Sequence, residues 1–182
     1  LFPGSRAQEV ERILPPLREA ARRLRESRPE LEVAIARAPD LPPTLFEGGP
    51  ERLAPPGEVV ETARAALTKS GTITLQLALA GVPMVVGYRV NPLTFLLARH
   101  LVQVDRVALV NLVAGRELVP ELIQGELTPD RLVGEAGPLL EPGSAARREL
   151  RRGLAEVRDR LGEPGCTGRV ADEAFALLER PG

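Results

Sequence analysis

The chain has 182 residues, of which 43% are hydrophobic and 27% are charged, and its formal net charge is −1. This length and composition are typical of one globular domain, and the near-neutral charge does not suggest a nucleic-acid partner. The sequence contains no apolar run of the ~18 residues that a membrane span needs and no signal-peptide pattern. Cys166 is the only cysteine and His100 the only histidine, which excludes an internal disulfide and a His/Cys metal cluster.

The start of the chain predicts a strand, a helix and a second strand. Residues 1–6 have the pattern of a strand end that runs into a turn, and Ser5 and Gln8 then have the spacing of a capping box. Apolar residues follow at helical spacing, and Pro15-Pro16 should kink or split this helix. Residues 31–36 alternate in the manner of a short strand.

The next part of the chain predicts a long loop followed by short elements. Residues 39–56 are rich in proline and glycine and are expected to be loop. Residues 59–60 and 65–67 each predict a small strand, and residues 70–72 predict a turn. Residues 73–80 are apolar on all sides, which favours a buried helix.

Further elements follow from similar signals. Gly81 is placed to end the preceding helix, and residues 83–88 predict a buried strand. Asn91-Pro92 predicts a helix start, with the helix running to about residue 102. Residues 107–110 predict a further short strand that ends at Asn111.

The last part of the chain is expected to be helical. Thr128-Pro129 has the pattern of a cap followed by proline at the first helical position. From Ser144 an apolar stripe at helical spacing continues until Gly162, and a last helix is predicted over residues 170–178.

Short apolar strands that alternate with helices predict an α/β fold, a Rossmann-like parallel sheet with helices on both faces. We expect residues 1–142 to form this domain and residues 143–182 to form a helical C-terminal tail. Such sheets bind ligands at the carboxyl ends of their strands, so the polar turns that follow strands are the candidate site.

The first of these turns is Pro3-Gly4-Ser5-Arg6. Glycine allows a ligand to approach the backbone, the following helix start offers amides to an anion, and Arg6 carries a guanidinium suited to phosphate. The alternative interpretation is a plain capped turn with a solvated arginine.

Two further turns have the same character. The amides and hydroxyls of Ser70-Gly71-Thr72 could hold a diphosphate, although neither a P-loop nor a G-x-G-x-x-G pattern is present. Asn111 with Gly115-Arg116-Glu117 provides polar groups that could contact a base or a sugar. An ordinary loop with an exposed ion pair explains this third segment equally well.

Four segments follow one another in an order that is typical of one family. They are Leu1-Phe2-Pro3-Gly4-Ser5-Arg6 with Glu9-Val10 and Leu14-Pro15, Ser70 to Leu75, Gly81 to Thr94, and Asn111 to Leu122 with Gln124. The four segments resemble lipid-A-disaccharide synthase. The resemblance covers nearly all of this chain and corresponds to the nucleotide-binding half of that enzyme. The order of motifs from Tyr88 to Gln124 is the most specific part of the resemblance.

The resemblance implies a glycosyltransferase of the two-Rossmann-domain type, of which this chain would be the donor-binding half. The donor would be UDP-2,3-diacylglucosamine, and the acceptor would be the acylated sugar phosphate 2,3-diacylglucosamine 1-phosphate. The reaction would invert the anomeric centre and release UDP, with no metal or other cofactor. The catalytic base would come from the acceptor-binding half, so this chain alone would not turn over.

The resemblance also implies a set of donor-binding residues: Gly4, Ser5, Arg6, Ser70, Gly71, Thr72, Gln76, Asn111, Arg116 and Glu117. Gln76 stands where the family usually has a glutamate, Arg64 stands near a usual aspartate, and Val110 replaces a common proline. A neutral glutamine can still hydrogen-bond the ribose hydroxyls that the glutamate would hold, although charge-assisted bonds are about twice as strong.

The acylated substrates imply a cytoplasmic enzyme that is peripheral to the inner membrane face, with a homodimer as a further expectation and no nucleic-acid partner. The apolar helix predicted from Pro92 would suit a membrane surface, or it would simply cover the sheet. Two other functions stay open, a non-catalytic nucleotide-binding or interaction module and a UDP-sugar 2-epimerase. The single histidine argues against the epimerase, which needs further acid and base groups.

Overall fold

The computed structural model describes residues 1–91 and 106–163, together with the single residues 165, 168, 170, 171, 174 and 175. The helix predicted to start at Asn91-Pro92 therefore lies almost wholly outside the described residues. The same is true of most of the helix predicted over residues 170–178.

Five short strands make up the described sheet structure, and all of their pairings are parallel. β1 pairs with β2, and β3, β4 and β5 pair in that order. Their bounds are Ala34–Ala36 for β1, Arg52–Ala54 for β2, Ala66–Lys69 for β3, Met84–Tyr88 for β4 and Glu121–Ile123 for β5.

The segment Leu1-Phe2 lies between the two groups of strands and connects them. The Phe2 amide donates to Leu67 O at 2.9 Å, and the Lys69 amide donates to Phe2 O at 2.8 Å. On the other side the Ala36 amide donates to Leu1 O at 2.8 Å. The order across the molecule is therefore β2, β1, Leu1-Phe2, β3, β4, β5. Counted along the chain, this is the 3-2-1-4-5-6 order of Rossmann folds.

Six α-helices within residues 1–91 and 106–163 connect or follow these strands, and they cover both faces of the sheet. α1 packs against α5 on one face, whereas α3 packs against α4 and α6 on the other. None of the helices in the described part of the chain is long and apolar enough to cross a bilayer. The bounds are Ala7–Ser27 for α1, Pro56–Thr62 for α2, Ile73–Leu79 for α3, Leu109–Ala114 for α4, Pro129–Leu140 for α5 and Ala145–Leu161 for α6.

The later helices have the ends that their sequence predicts. The Thr128 hydroxyl accepts from the Arg131 amide at 3.3 Å at the start of α5, and the Ser144 hydroxyl accepts from the Arg147 amide at 3.1 Å at the start of α6. Gly162 ends α6 with a φ of 76°, a conformation that favours glycine. These predictions are confirmed.

The first helix begins and continues differently from its prediction. Arg6, not Ser5, is the N-cap of α1, and no side chain caps it. The Glu9 carboxylate instead accepts from the Ser5 amide at 3.1 Å, so the capping box with Gln8 is wrong. α1 is also not split, because it runs through Pro15 and Pro16 as one element. Its buried face, which includes Val10, Leu14 and Leu17, packs into the core along the whole length.

Four predictions in the middle of the chain are also wrong. The proline-rich loop over residues 39–56 contains β2, and residues 59–60 belong to α2 because Pro55-Pro56 starts a helix there. Residues 107–110 are not a strand, since α4 begins at Leu109. α3 is not buried on all sides, because Leu79 is 48% exposed. The strand β5 was not predicted at all.

α6 packs on the same core as the sheet. Leu150, Leu154 and Val157 are buried in the cluster that also contains Met84 and Val85 of β4. The helix over Ala145–Leu161 therefore packs on this domain, a point that the sequence left open.

Truncation of a buried α6 side chain should destabilise the domain as a whole. We expect Leu154→Ala to lower the free energy of unfolding by about 2–5 kcal/mol, because Leu154 is fully buried and its removal leaves a cavity. Urea unfolding followed by circular dichroism measures this. Leu161→Ala, at the partly exposed end of the same helix, is the control and should change little. A separate early transition with an unchanged main midpoint would contradict a shared core.

Candidate functional site

Two polar turns leave the carboxyl edge of the sheet side by side. Residues 3–6, the first turn, follow Phe2, and residues 70–72, the second turn, follow β3. Because Phe2 and β3 are paired neighbours, the two turns start next to each other. In this strand order the sheet reverses its direction of growth between these two strands, and such a switch point is where open α/β sheets bind ligands.

The first turn depends on the glycine at its second position. Gly4 has a φ of 127°, in the region that L side chains rarely adopt. A Cβ atom at Gly4 would also lie 2.5 Å from the Glu9 Oε2 atom and 2.7 Å from the Glu9 Cβ atom. The turn is therefore packed directly against the first turn of α1, which leaves room for glycine alone.

The Glu9 carboxylate is approached by groups of the first turn and by Lys69, the last residue of β3. Its Oε2 atom accepts from the Ser5 amide at 3.1 Å, and its Oε1 atom lies 3.1 Å from Lys69 Nζ and 3.7 Å from Arg6 Nη1. Burial opposes the charge of Glu9, but the bonds from Lys69 and Ser5 and the charges of Lys69 and Arg6 outweigh it, and they lower the pKa of this carboxyl below 4.5.

The second turn is fixed by bonds to two other parts of the fold. The Ser70 amide donates to Gly87 O at 3.0 Å, and the buried Ser70 hydroxyl donates to Val107 O at 2.6 Å. The buried Thr74 hydroxyl donates to Gly71 O at 2.7 Å and holds the turn against α3.

Thr72 and Gln76, the outer residues of this region, are exposed. They are four residues apart around the start of α3 and therefore lie on the same side of it. The structure thus places Gly4, Ser5, Arg6, Ser70, Gly71, Thr72 and Gln76 around one edge of the sheet.

The Asn111 side chain makes its hydrogen bonds inside the fold. It is completely buried, and its amide group donates to Val119 O at 2.9 Å and to Glu121 Oε1 at 2.7 Å. Its oxygen accepts from the backbone amides of Leu118 and Val119, both at 2.9 Å. These bonds occupy both hydrogens and the oxygen, so Asn111 holds the loop before β5 and has no donor left to offer a ligand.

Asn111 also belongs to a chain of bonds that ends at the second turn. The Glu121 carboxylate that it contacts accepts from the Val107 amide at 2.8 Å and from the Ala108 amide at 3.1 Å. Val107 O in turn accepts the Ser70 hydroxyl. Asn111 and Glu121 therefore position the backbone to which Ser70 is attached.

Arg116 and Glu117 lie at the opposite edge. They are in the loop that leads into the amino end of β5, and Arg116 pairs with Glu156 of α6 at 2.6 Å. The structure does not bring them to the two turns. Arg64 precedes β3 at this same amino edge, where its carbonyl oxygen accepts from Arg147.

A separate cavity of 380 Å³ lies between the second half of α1 and residues 48–51. Arg18, at its wall, is already bound to Glu51 at 3.0 Å and to the carbonyl oxygens of Phe46 and Glu47. The cavity is close to the amino end of β2, so it does not belong to the edge formed by the two turns.

Sequence reasoning missed Lys69 and Glu121. Lys69 is the last residue of β3 and is the only lysine in the chain, a signal that was visible beside the Ser-Gly-Thr turn. The role of Glu121 had no sequence signal, because it depends on β5 and on the bonds of residues 107 and 108.

The groups at this edge are of the kinds that bind anions in other proteins. Glycine-lined backbone, a guanidinium, an ammonium and exposed hydroxyls meet where a parallel sheet with this strand order reverses, which defines a Rossmann-like domain of the ligand-binding class. The model of the lipid-A-disaccharide synthetase family matches residues 1–163. The chain belongs to this family.

Individual relatives agree with this assignment. Lipid-A-disaccharide synthase of Myxococcus xanthus is 44% identical over 188 residues, covering 98% of this chain and 48% of its own length. The synthase of Anaeromyxobacter sp. strain K is 41% identical and that of Geobacter sulfurreducens 38%, each over 98% of this chain and about half of their own lengths. The chain spans about half the length of the curated relatives it matches.

The buried bonds of Asn111 predict a stability defect when its side chain is removed. Asn111→Ala leaves the amides of Leu118 and Val119 without their acceptor, and we expect the free energy of unfolding to fall by at least about 2 kcal/mol. Chemical unfolding measures this loss. Leu112→Ala, at the exposed neighbouring residue, is the matched control. Equal stability of the two variants would contradict the structural role.

The lowered pKa of Glu9 predicts a pH-dependent contribution to stability. The folded-state pKa is below 4.5, so ionised Glu9 stabilises the fold above about pH 4.5, and this contribution disappears as the pH falls through the folded-state pKa. Glu9→Gln should therefore be less stable than the original chain at pH 7, with a difference that shrinks as the pH falls through the lowered pKa of Glu9. Urea unfolding at several pH values measures it, with Glu11→Gln at an exposed position as control. A difference that does not change with pH would contradict the charge pairing.

Proposed function

We propose that this chain forms the donor-binding part of a lipid-A-disaccharide synthase. In the proposed reaction the whole enzyme transfers 2,3-diacylglucosamine from its UDP donor to 2,3-diacylglucosamine 1-phosphate and releases UDP. Membership of the family supports the reaction class, and the chemistry of the sheet edge supports the role of this half.

The observation that carries the proposal is that the two turns start side by side at the switch point. The first turn offers the backbone of Gly4, the exposed side chain of Ser5 and the guanidinium of Arg6, which is 83% exposed. The second turn offers the backbone of Gly71 and the exposed Thr72. Such groups bind diphosphate oxygens well, because backbone amides and a planar guanidinium both donate to anions.

The same groups would also favour the chemical step. When the glycosidic bond to UDP breaks, negative charge grows on the diphosphate, and fixed donors stabilise that charge without reorganising. In our proposal the acceptor hydroxyl attacks from the opposite side, so the anomeric centre inverts. The base that removes its proton would belong to the part of the relatives that this chain does not match.

Gln76 is the proposed contact for the ribose. It is exposed on the same side of α3 as Thr72, one helical turn further from the edge. A ribose that follows the diphosphate along this side would meet the amide group of Gln76. The amide can donate and accept hydrogen bonds to hydroxyls, although it lacks the charge of the usual glutamate.

The acylated substrates also locate the proposed enzyme. Both carry fatty-acyl chains, so we place the enzyme in the cytoplasm, peripheral to the inner membrane face, and include a homodimer in the proposal.

Arg116 and Glu117 have no part in the proposed donor contacts because they lie at the other edge. Asn111 acts only through Ser70, by way of Glu121 and Val107.

Removal of the exposed guanidinium should weaken UDP binding. We expect Arg6→Ala to reduce the binding free energy by about 1.5–3 kcal/mol, the range for a hydrogen bond to a charged group, and to leave stability nearly unchanged. Titration calorimetry with UDP measures the affinity. Arg151→Ala, an exposed arginine on α6 away from the two turns, is the matched control.

Two results would contradict the proposed function. If the original chain does not bind UDP, the proposed donor site is wrong. If the Arg6→Ala and Arg151→Ala variants bind UDP equally well, Arg6 is not one of its contacts. Tight binding of NAD in preference to UDP would favour a different nucleotide-binding module. Uridine, which lacks the diphosphate, should bind both variants equally.

A further inference from the structure

Lys69 is in an unusual position for the only lysine of the chain. Lysine and arginine together number 24, and because Lys69 is the only lysine, all the others are arginines. Lys69 ends β3 and directly precedes the second turn, and its side chain is 25% exposed. It therefore reaches solvent at the carboxyl edge, next to both turns.

The Lys69 side chain lies near both turns. Its Nζ atom lies 3.1 Å from Glu9 Oε1, on the side of the first turn. On the side of the second turn, the same atom lies 3.8 Å from the position that a Cβ atom on Gly71 would occupy. The ammonium group thus lies between the two segments that would have to share a diphosphate.

The partners of Glu9 show which chemistry this position favours. The Ser5 amide, the Lys69 ammonium and the Arg6 guanidinium all approach one carboxylate, at 3.1, 3.1 and 3.7 Å. A backbone amide and two cations that converge on one oxyanion are also what a phosphate group requires. Two cations face this single carboxylate, so the cluster carries an excess of one positive charge toward an incoming anion.

We infer that Lys69 is a further donor-binding residue, which contacts the diphosphate of the nucleotide sugar. The inference rests on the proposed function. Glu9 holds the ammonium between the two turns, and when the donor binds, Lys69 turns to a diphosphate oxygen while Glu9 keeps its bond to the Ser5 amide. Lysine acts here as a compact point charge beside the planar guanidinium of Arg6.

Variants of Lys69 test the inference by calorimetry with UDP and with uridine. We expect Lys69→Ala to weaken UDP binding roughly tenfold to a hundredfold, as for other hydrogen bonds to charged groups, and to leave uridine binding unchanged. Lys69→Arg keeps the charge and should restore most of the UDP affinity. Arg151→Ala again serves as the control for loss of one positive charge.

A chemical experiment on the unaltered chain gives an independent result. Mild acetylation modifies lysine side chains, and peptide mass spectrometry reports the modified fraction at Lys69. UDP at saturating concentration should protect Lys69, whereas uridine at the same degree of saturation should not. This result does not depend on whether Lys69→Ala folds.

The outcomes separate the inference from the proposed function. If the original chain binds UDP, but Lys69→Ala binds it equally well, or UDP leaves acetylation unchanged, Lys69 is not a diphosphate contact and the proposed function stands. If the original chain does not bind UDP, both are overturned.

Discussion

The pairing of Leu1-Phe2 between β1 and β3 is the constraint on which the candidate site depends. Hydrogen bonds on both sides join a two-stranded and a three-stranded group into one parallel order. Each bond contributes only about 0.5–1.5 kcal/mol net, and burial of the Phe2 ring adds about 1.5–3 kcal/mol. The larger effect is positional, because this pairing puts residues 3–6 beside residues 70–72.

The elements that sequence reasoning predicted well have strong local signals. The first and second turns combine glycine and hydroxyl residues directly after apolar strands, and the helices after Thr128 and Ser144 have clear caps. The errors fall where the signals are ambiguous. A short apolar run such as residues 107–110 suits a strand or a helix equally, and β2 has only three residues inside a proline-rich segment.

The same ambiguity explains why three of the predicted site residues do not lie with the others at the carboxyl edge. Once residues 109–114 are a helix, its direction carries Arg116 and Glu117 away from the carboxyl edge, and Asn111 faces the interior. Resemblance identified a real family but could not separate ligand contacts from internal supports. Three successive hydrogen bonds connect Asn111 to Ser70 by way of Glu121 and Val107, and that relation is visible only from distances.

The geometry of Gly4 has a consequence for attempts to change the ligand preference of this edge. Ser5 and Arg6 are exposed and can vary in size and charge, whereas position 4 has both a positive φ and no space for a methyl group. A mutant library that randomises the whole turn would lose most of its members to misfolding at that one position. Selection experiments would sample new specificities far more efficiently with glycine kept fixed and its two successors diversified.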